Sequence, residues 1–193
     1  MLAAAPTEPV RSKKHIEEKK AISNTKKSAL VRDRQFCLAS VLIMVIIVLS
    51  VGNYLRWWDL HFRVGPFYFH HWLGWAGALY IAIFTPIYST MKRRSPSRLG
   101  TLLNIHVFGN LIAFLFISIH FTQQIGRPAE FAPTLGTGIV LYVIMATMVV
   151  TGMMQRFRLA SRQIRSWRFI HVSLSLSFYI VLVVHILHNL GVI

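Results

Sequence analysis

The chain has 193 residues, of which 54% are apolar and only 14% charged, with a mean hydropathy of +0.52 and a formal net charge of +15. Soluble domains carry about 25% charged residues, so this composition excludes an ordinary soluble globule. A pI near 11.0 would by itself fit a nucleic-acid binder, but beside long apolar runs the basic groups read as an orientation signal and a contact for anionic membrane lipid, and no nucleic acid is expected.

Residues 1–35 are polar and lysine-rich with no periodic apolar face, which predicts a disordered or loosely helical cytosolic tail. The tail does not have the form of a signal peptide, because it is polar up to the first apolar run. Residues 36–193 read as a transmembrane domain of five apolar segments: Phe36–Tyr54, Phe69–Thr90, Leu99–Thr122, Thr134–Met154 and Phe169–Ile193. Each is close to the ~20 residues that cross a hydrocarbon core about 30 Å thick. Backbone groups in lipid must be satisfied within the segment, so the runs are helices. The predicted fold is therefore all-α, an integral membrane bundle of five transmembrane helices in the plasma (inner) membrane. Pro86 predicts a kink in the second span. The single cysteine, Cys37, opens the first span as a small apolar residue. With no CxxC pair and no CxxCH, disulfide, iron–sulfur and covalent haem chemistry are all excluded.

Nine Lys and Arg precede the first span, four lie between the second and third, and five between the fourth and fifth. The two remaining connections hold three together. This asymmetry predicts the N-terminus inside and the C-terminus outside. Trp57, Trp58, Tyr68 and Trp72 then fall in the outer interfacial belt and Trp167 in the inner one.

Nine histidines are present. His15 in the tail and His61 in an outer loop read as solvated. The other seven lie in or at the ends of spans, where an ionisable side chain is costly and ordinarily faces the bundle interior with a partner. Four of them repeat one frame: HVFGNLIAFLFISIH from His106 to His120 and HVSLSLSFYIVLVVH from His171 to His185. Fourteen residues turn a helix to about 40° short of four full turns and advance it about 21 Å, so both imidazoles lie on nearly one face, one toward each side of the membrane. The third and fifth spans run in the same direction, so His106 and His171 share the inner level and His120 and His185 the outer. Two facing imidazoles ligate a haem iron from both sides, and two such levels make an electron path across the bilayer.

A lone buried histidine is ordinarily a hydrogen-bonded packing residue; four in two identical frames fit that reading poorly. A histidine-lined metal or proton transporter is the alternative, although zinc would lack carboxylates or thiols to complete four ligands. Gly109 and Ser175, one turn after His106 and His171, are small residues where a porphyrin would near the backbone, as are many residues between membrane helices. His188 lies about 100° from the His171 face and His185 about 40°, which makes His185 the expected ligand. His70 and His71 read as interfacial residues, or as neighbours of an outer haem edge, a quinone or an external partner. Arg162, Arg165 and Arg168 stand at the inner mouth, where haem propionates or the charge bias alone account for them equally.

From Phe36 to Leu190 the layout resembles the ferric reductase-like transmembrane domain, which includes the haem core of NADPH oxidases, ferric reductases and the haem-bearing membrane partner of bacterial periplasmic methionine sulfoxide reductase. The resemblance is sharpest over IRSWRFIHVSLSLSFYIVLVVH, with its arginine and tryptophan entry ending at Arg168 and thirteen residues between its histidines. It implies His106, His120, His171 and His185 as axial ligands of two haem b groups. No sixth span, flavin or nucleotide domain or GxGxxG follows. The expected donor is therefore quinol or a separate flavin or iron–sulfur redox protein, with an acceptor protein at the outer face. Diheme cytochrome b anchors of membrane oxidoreductases are similar, and the HHWLG start of the second span leans that way. The expected function is an electron-transfer component of an oxidoreductase system rather than a complete enzyme; the alternatives are the transporter, or an anchor subunit whose haem fixes assembly.

Overall fold

The computed structural model describes residues 8–58, 60–125, 136–159 and 161–192, with side chains from residue 30 onward apart from that of Ser161. The side chain of His15 and the connection 126–135, with Arg127, lie outside the described residues. The chain divides into two compact units, Met1–Ser40 and Val41–Ile193. In the first, helix begins at Glu8. The second carries the architecture below.

Among the described residues there are five α-helices: α1 (Glu8–Tyr54), which runs from the first unit into the second, α2 (Phe69–Arg94), α3 (Leu99–Ile125), α4 (Gly136–Phe157) and α5 (Ile164–Asn189). Their ends have local causes. After α1, α4 and α5 the backbone turns left-handed at Arg56 (φ 57°), Arg158 (φ 55°) and Gly191 (φ 69°). In each case the next amide reaches back five residues: Trp57 to Gly52, Leu159 to Met154 and Val192 to Leu187. This closure satisfies carbonyls that the last helical turn leaves open. Between α2 and α3, Pro96–Arg98 form a single 3-10 turn, which folds the two helices back to back.

One element departs from the all-α expectation. Arg63–Val64 (β1) and Phe67–Tyr68 (β2) pair antiparallel around Gly65, whose φ of 63° suits a residue without a side chain. Phe62 stacks on Phe69 at 4.9 Å, and the Trp72 indole donates to the Val64 carbonyl, so the hairpin is seated on the first turn of α2.

Among the described residues four segments are long and apolar enough to cross a membrane: Leu30–Tyr54, Pro96–Ile125, Gly136–Phe157 and Ile164–Asn189. Helix α2 has the length, but its Trp, Tyr, Gly and Thr residues dilute the apolar run and leave it outside that set. The chain is thus a multi-pass, helical membrane protein with lipid-facing surface. On α5 that surface is a stripe formed by Phe169, Val172, Leu176, Ile180 and Val183, all more than half exposed.

The contacts arrange α2 to α5 in a ring. The closest pairs are α2 with α3, α4 with α5, and α3 with α4. Ring closure comes from Tyr179 of α5, whose hydroxyl donates to the Ile81 carbonyl of α2 at 3.0 Å. Pro86, five residues on, has no N–H to give, which leaves the carbonyl of Ala82, next to Ile81, without its helical donor. Neighbours around the ring run antiparallel, so α3 and α5 are parallel and diagonal. The core is packed by Leu111, Ala113 and Phe114 of α3, Leu141 and Met145 of α4, and Phe178 and Leu182 of α5. At the end of α1, buried Asn53 donates to the Ile119 carbonyl and to Thr122, and accepts from Gln123, which ties α1 to α3.

Candidate functional site

The two histidine frames sit on the diagonal helices. A constant step of fourteen residues runs round the ring. Between α3 and α4, Ser118 meets Tyr142 at 3.2 Å and Asn104 meets Arg156 at 2.8 Å. Between α4 and α5, Gly138 lies under His185 and Gly152 under His171. Carried across α4, His106 is level with Met154 and His171 with Gly152; His120 is level with Val140 and His185 with Gly138. Each offset is two residues, about 3 Å along the axis. The structure therefore brings His106 to the level of His171 and His120 to that of His185, about 21 Å apart.

Each of these imidazoles is half-buried and is held through its Nδ1 atom. His171 Nδ1 lies 3.1 Å from the Met148 carbonyl and 3.0 Å from the Thr151 hydroxyl. His120 Nδ1 lies 3.1 Å from the His70 carbonyl. A carbonyl only accepts, so in both residues Nδ1 carries the proton and donates, leaving the Nε2 lone pair available to a metal. His185 Nδ1 meets the Thr137 hydroxyl at 2.9 Å. His106 Nδ1 lies 3.0 Å from the Asn110 amide nitrogen, and the Asn110 oxygen is buried without a partner. As placed, the Asn110 N–H donates to His106 Nδ1; with the two ends of the amide exchanged, Nδ1–H would donate to the oxygen and the amide nitrogen would take the partnerless place.

Three rings rest on a glycine of the neighbouring helix. A Cβ at Gly74 would lie 2.8 Å from His120 Cγ, one at Gly152 3.3 Å from His171 Cε1, and one at Gly138 3.5 Å from His185 Cε1. The fourth ring, His106, stacks on Tyr88 of α2 at 4.3 Å and 10°. Thus α2 and α4 act as beds that fix the imidazoles of α3 and α5. Apart from Asn110, four residues after His106 in the same helix, these partners come from neighbouring helices and carry no mark in the sequence. The spacing of Gly138 and Gly152, fourteen residues like the histidines they bed, was the one available signal.

Other expected residues fall as follows. The position of a side chain at Gly109 is filled by the Tyr80 hydroxyl of α2, so this glycine serves the α2–α3 approach. Ser175 is half-buried on the face of α5 that carries His171, and Arg162, Arg165 and Arg168 are exposed. His188 is exposed while His185 turns to Thr137. His70 is fully buried, and its ring lies 4.3 Å from His71 and 5.8 Å from His120. It packs inside the bundle beside His120 rather than on its outer surface. His61, exposed, approaches His70 at 5.7 Å, and Gln124 Nε2 stands 3.2 Å from His71 Nε2. Among the described residues no group of three or more His, Cys, Asp or Glu is placed to hold a bare metal ion.

The class that fold and site define is a multi-pass helical membrane protein with four half-buried imidazoles at two levels of α3 and α5. Compared with family models, curated proteins and solved structures, the chain finds no match.

Proposed function

We propose that the protein is a membrane b-type cytochrome of the plasma membrane that carries electrons across the bilayer through two bis-histidine haems, His106 with His171 and His120 with His185. The reading takes α2 as a fifth span, N-terminus inside and C-terminus outside. Its support is that α2 lies antiparallel to α3, with Tyr88 at His106 and Gly74 beside His120, and so shares α3's depth. One observation carries the proposal: two levels of imidazoles on diagonal helices, each anchored at Nδ1. Metal-ligating histidines characteristically donate their second ring N–H to a carbonyl or similar acceptor, which fixes tautomer and orientation.

The donor set fits haem. His106 with His171, and His120 with His185, would hold one haem at each level, and α3 and α5 are not a closely packed pair. When bound, haem supplies one-electron chemistry; the chain's part is to hold the ligands, exclude water and set the potential. The Met148 carbonyl with Thr151, and the His70 carbonyl, keep the inner and outer rings in the ligating tautomer. The glycine beds and Tyr88 stop the rings turning, and the apolar packing by Phe114, Phe178 and Leu182 keeps the interior dry. The donor would be quinol or a separate flavin or iron–sulfur protein, and the acceptor an external protein.

A histidine-lined transporter is a second reading, favoured by the cluster of His61, His70, His71 and His120 at one end. A visible spectrum of the purified, dithionite-reduced chain separates the two: the proposal expects a b-type α-band with two haems per chain. A colourless protein sinks it.

A further inference from the structure

The β1–β2 hairpin takes no part in the proposed haem sites, and its surface is unusual for a loop in water. Phe62, Val64 and Phe67 are exposed, on a ladder of two residue pairs. A hairpin this short is marginal in water on its own. Its depth follows from α3. Gly74 lies beside His120, and Gly77 beside Ala113 and Ile117, so in these antiparallel helices Trp72 is level with Thr122. There the apolar run of α3 gives way to Gln123 and Gln124. An indole at such a boundary keeps its ring in the apolar layer and its N–H in the polar one, and the Trp72 N–H donates to the Val64 carbonyl at 2.8 Å.

Below Trp72, the exposed residues Leu79, Ile83 and Ile87 lie within about 60° of it around α2. Phe67 meets the Trp72 ring edge to face at 5.8 Å, so the apolar stripe of α2 continues onto the hairpin. Next to Val64, exposed Arg63 holds its guanidinium 5.3 Å from the Tyr68 ring centre, a cation at the height of lipid phosphates. The hairpin also reaches the outer imidazole level. Tyr68 stacks on His70 at 5.7 Å and 9°, and His61 approaches the same ring at 5.7 Å. His70 is fully buried, and its carbonyl is the acceptor for His120 Nδ1. We propose that the hairpin is an interaction surface for the phospholipid leaflet on its side of the membrane. Phe67 and Trp72 enter the boundary between acyl chains and headgroups, and the bilayer thereby holds Tyr68 and His61 as a cap over His70 and the outer level. This rests on the reading of α2 as a span, and needs no haem.

The test is a spin-label depth measurement on the purified full chain in phosphatidylcholine nanodiscs, in a C37S background with a nitroxide attached at F67C or at L79C. Oxygen concentrates in hydrocarbon and a water-soluble nickel chelate stays outside it, so their collision rates with the label give its depth. The F67C label should meet oxygen more often than nickel, and the L79C label should lie deeper still. A water-like F67C label beside a deep L79C label overturns the proposal and leaves the face to an external protein. Dipolar broadening at F67C that vanishes on dilution with unlabelled chain assigns the face to a second copy and also overturns it. An L79C label as shallow as that at F67C defeats the reading of α2 as a span, which is a different failure. Hydrogen exchange in the same nanodiscs tests the cap without a label. The Phe69 amide, bonded to the Phe62 carbonyl, should exchange faster in F67D than in the wild type, with F67L close to the wild type and the amides of α4 unchanged in all three. Equal rates in F67D and F67L overturn the proposal, because lipid contact then plays no part in holding the hairpin.

Discussion

At the residue scale, the decisive atoms are the Nδ1 nitrogens. A histidine whose Nδ1–H is committed to a carbonyl presents Nε2 in one tautomer and one direction, and that preorganisation separates a ligand from a packing residue. Single replacement of His106, His120, His171 or His185 by Ala should lower haem content from two per chain toward one, measured as pyridine haemochrome against protein. H188A should retain both. Four variants that keep full haem would end the pairing. Replacing Thr151 by Val leaves the Met148 carbonyl as the acceptor for His171. Losses in such an outer layer cost about 10- to 100-fold in metal affinity, so T151V should release haem faster than wild type while still binding it. The fourteen-residue frame was legible in the sequence because it lies within one helix. The anchors Thr151, Thr137 and Asn110 were not, since common polar residues carry no mark until packing sets them opposite a ring.

At the scale of elements, α2 and α4 work through the side chains they lack. Gly74 admits the His120 ring so closely that any Cβ there would press on Cγ at 2.8 Å. Close packing inside a bundle leaves no room to absorb this, so G74A should displace His120 and lower the outer haem's occupancy. G100A, where a Cβ meets nothing within 4 Å, should be without effect; equal behaviour of the two would show that the bed is not needed. Tyr179 to Phe removes the hydroxyl that joins α5 to Ile81 of α2. Interhelical hydrogen bonds in membranes contribute about 0.6 kcal/mol, so Y179F should lower the thermal midpoint slightly and leave both α-bands in place. Apolar length placed α2 to α5 to within about five residues at each end, whereas α1 starts at Glu8, well before the apolar run at Phe36, because a polar stretch can be helical without an apolar signal. The hairpin around Gly65 escaped notice although Gly-Pro between β-branched and aromatic residues is a turn signal; it was overshadowed by the apolar run that follows.

For the whole molecule, the open issue is which connections face which side, because electron transfer across a membrane has meaning only with a direction. The proposed orientation puts Lys92–Arg98 inside and the β1–β2 hairpin outside, which requires α2 to cross the bilayer. The single cysteine makes this measurable. In a C37S background, cysteines at Val64, Ser97 and Leu190, all exposed, report the two ends of α2 and the end of α5. In right-side-out vesicles an impermeant maleimide should label V64C and L190C and spare S97C until the membrane is opened. If α2 lay along the surface, V64C and S97C would react from the same side. The parallel course of α3 and α5 would survive, since it follows from the antiparallel contacts through α4. What would fail is the depth of α2, and with it the placement of Tyr88 and Gly74 as beds within the hydrocarbon. Reaction of S97C alone would reverse the orientation and put the level of His106 and His171 toward the outer surface, while leaving the pairing of the four histidines intact.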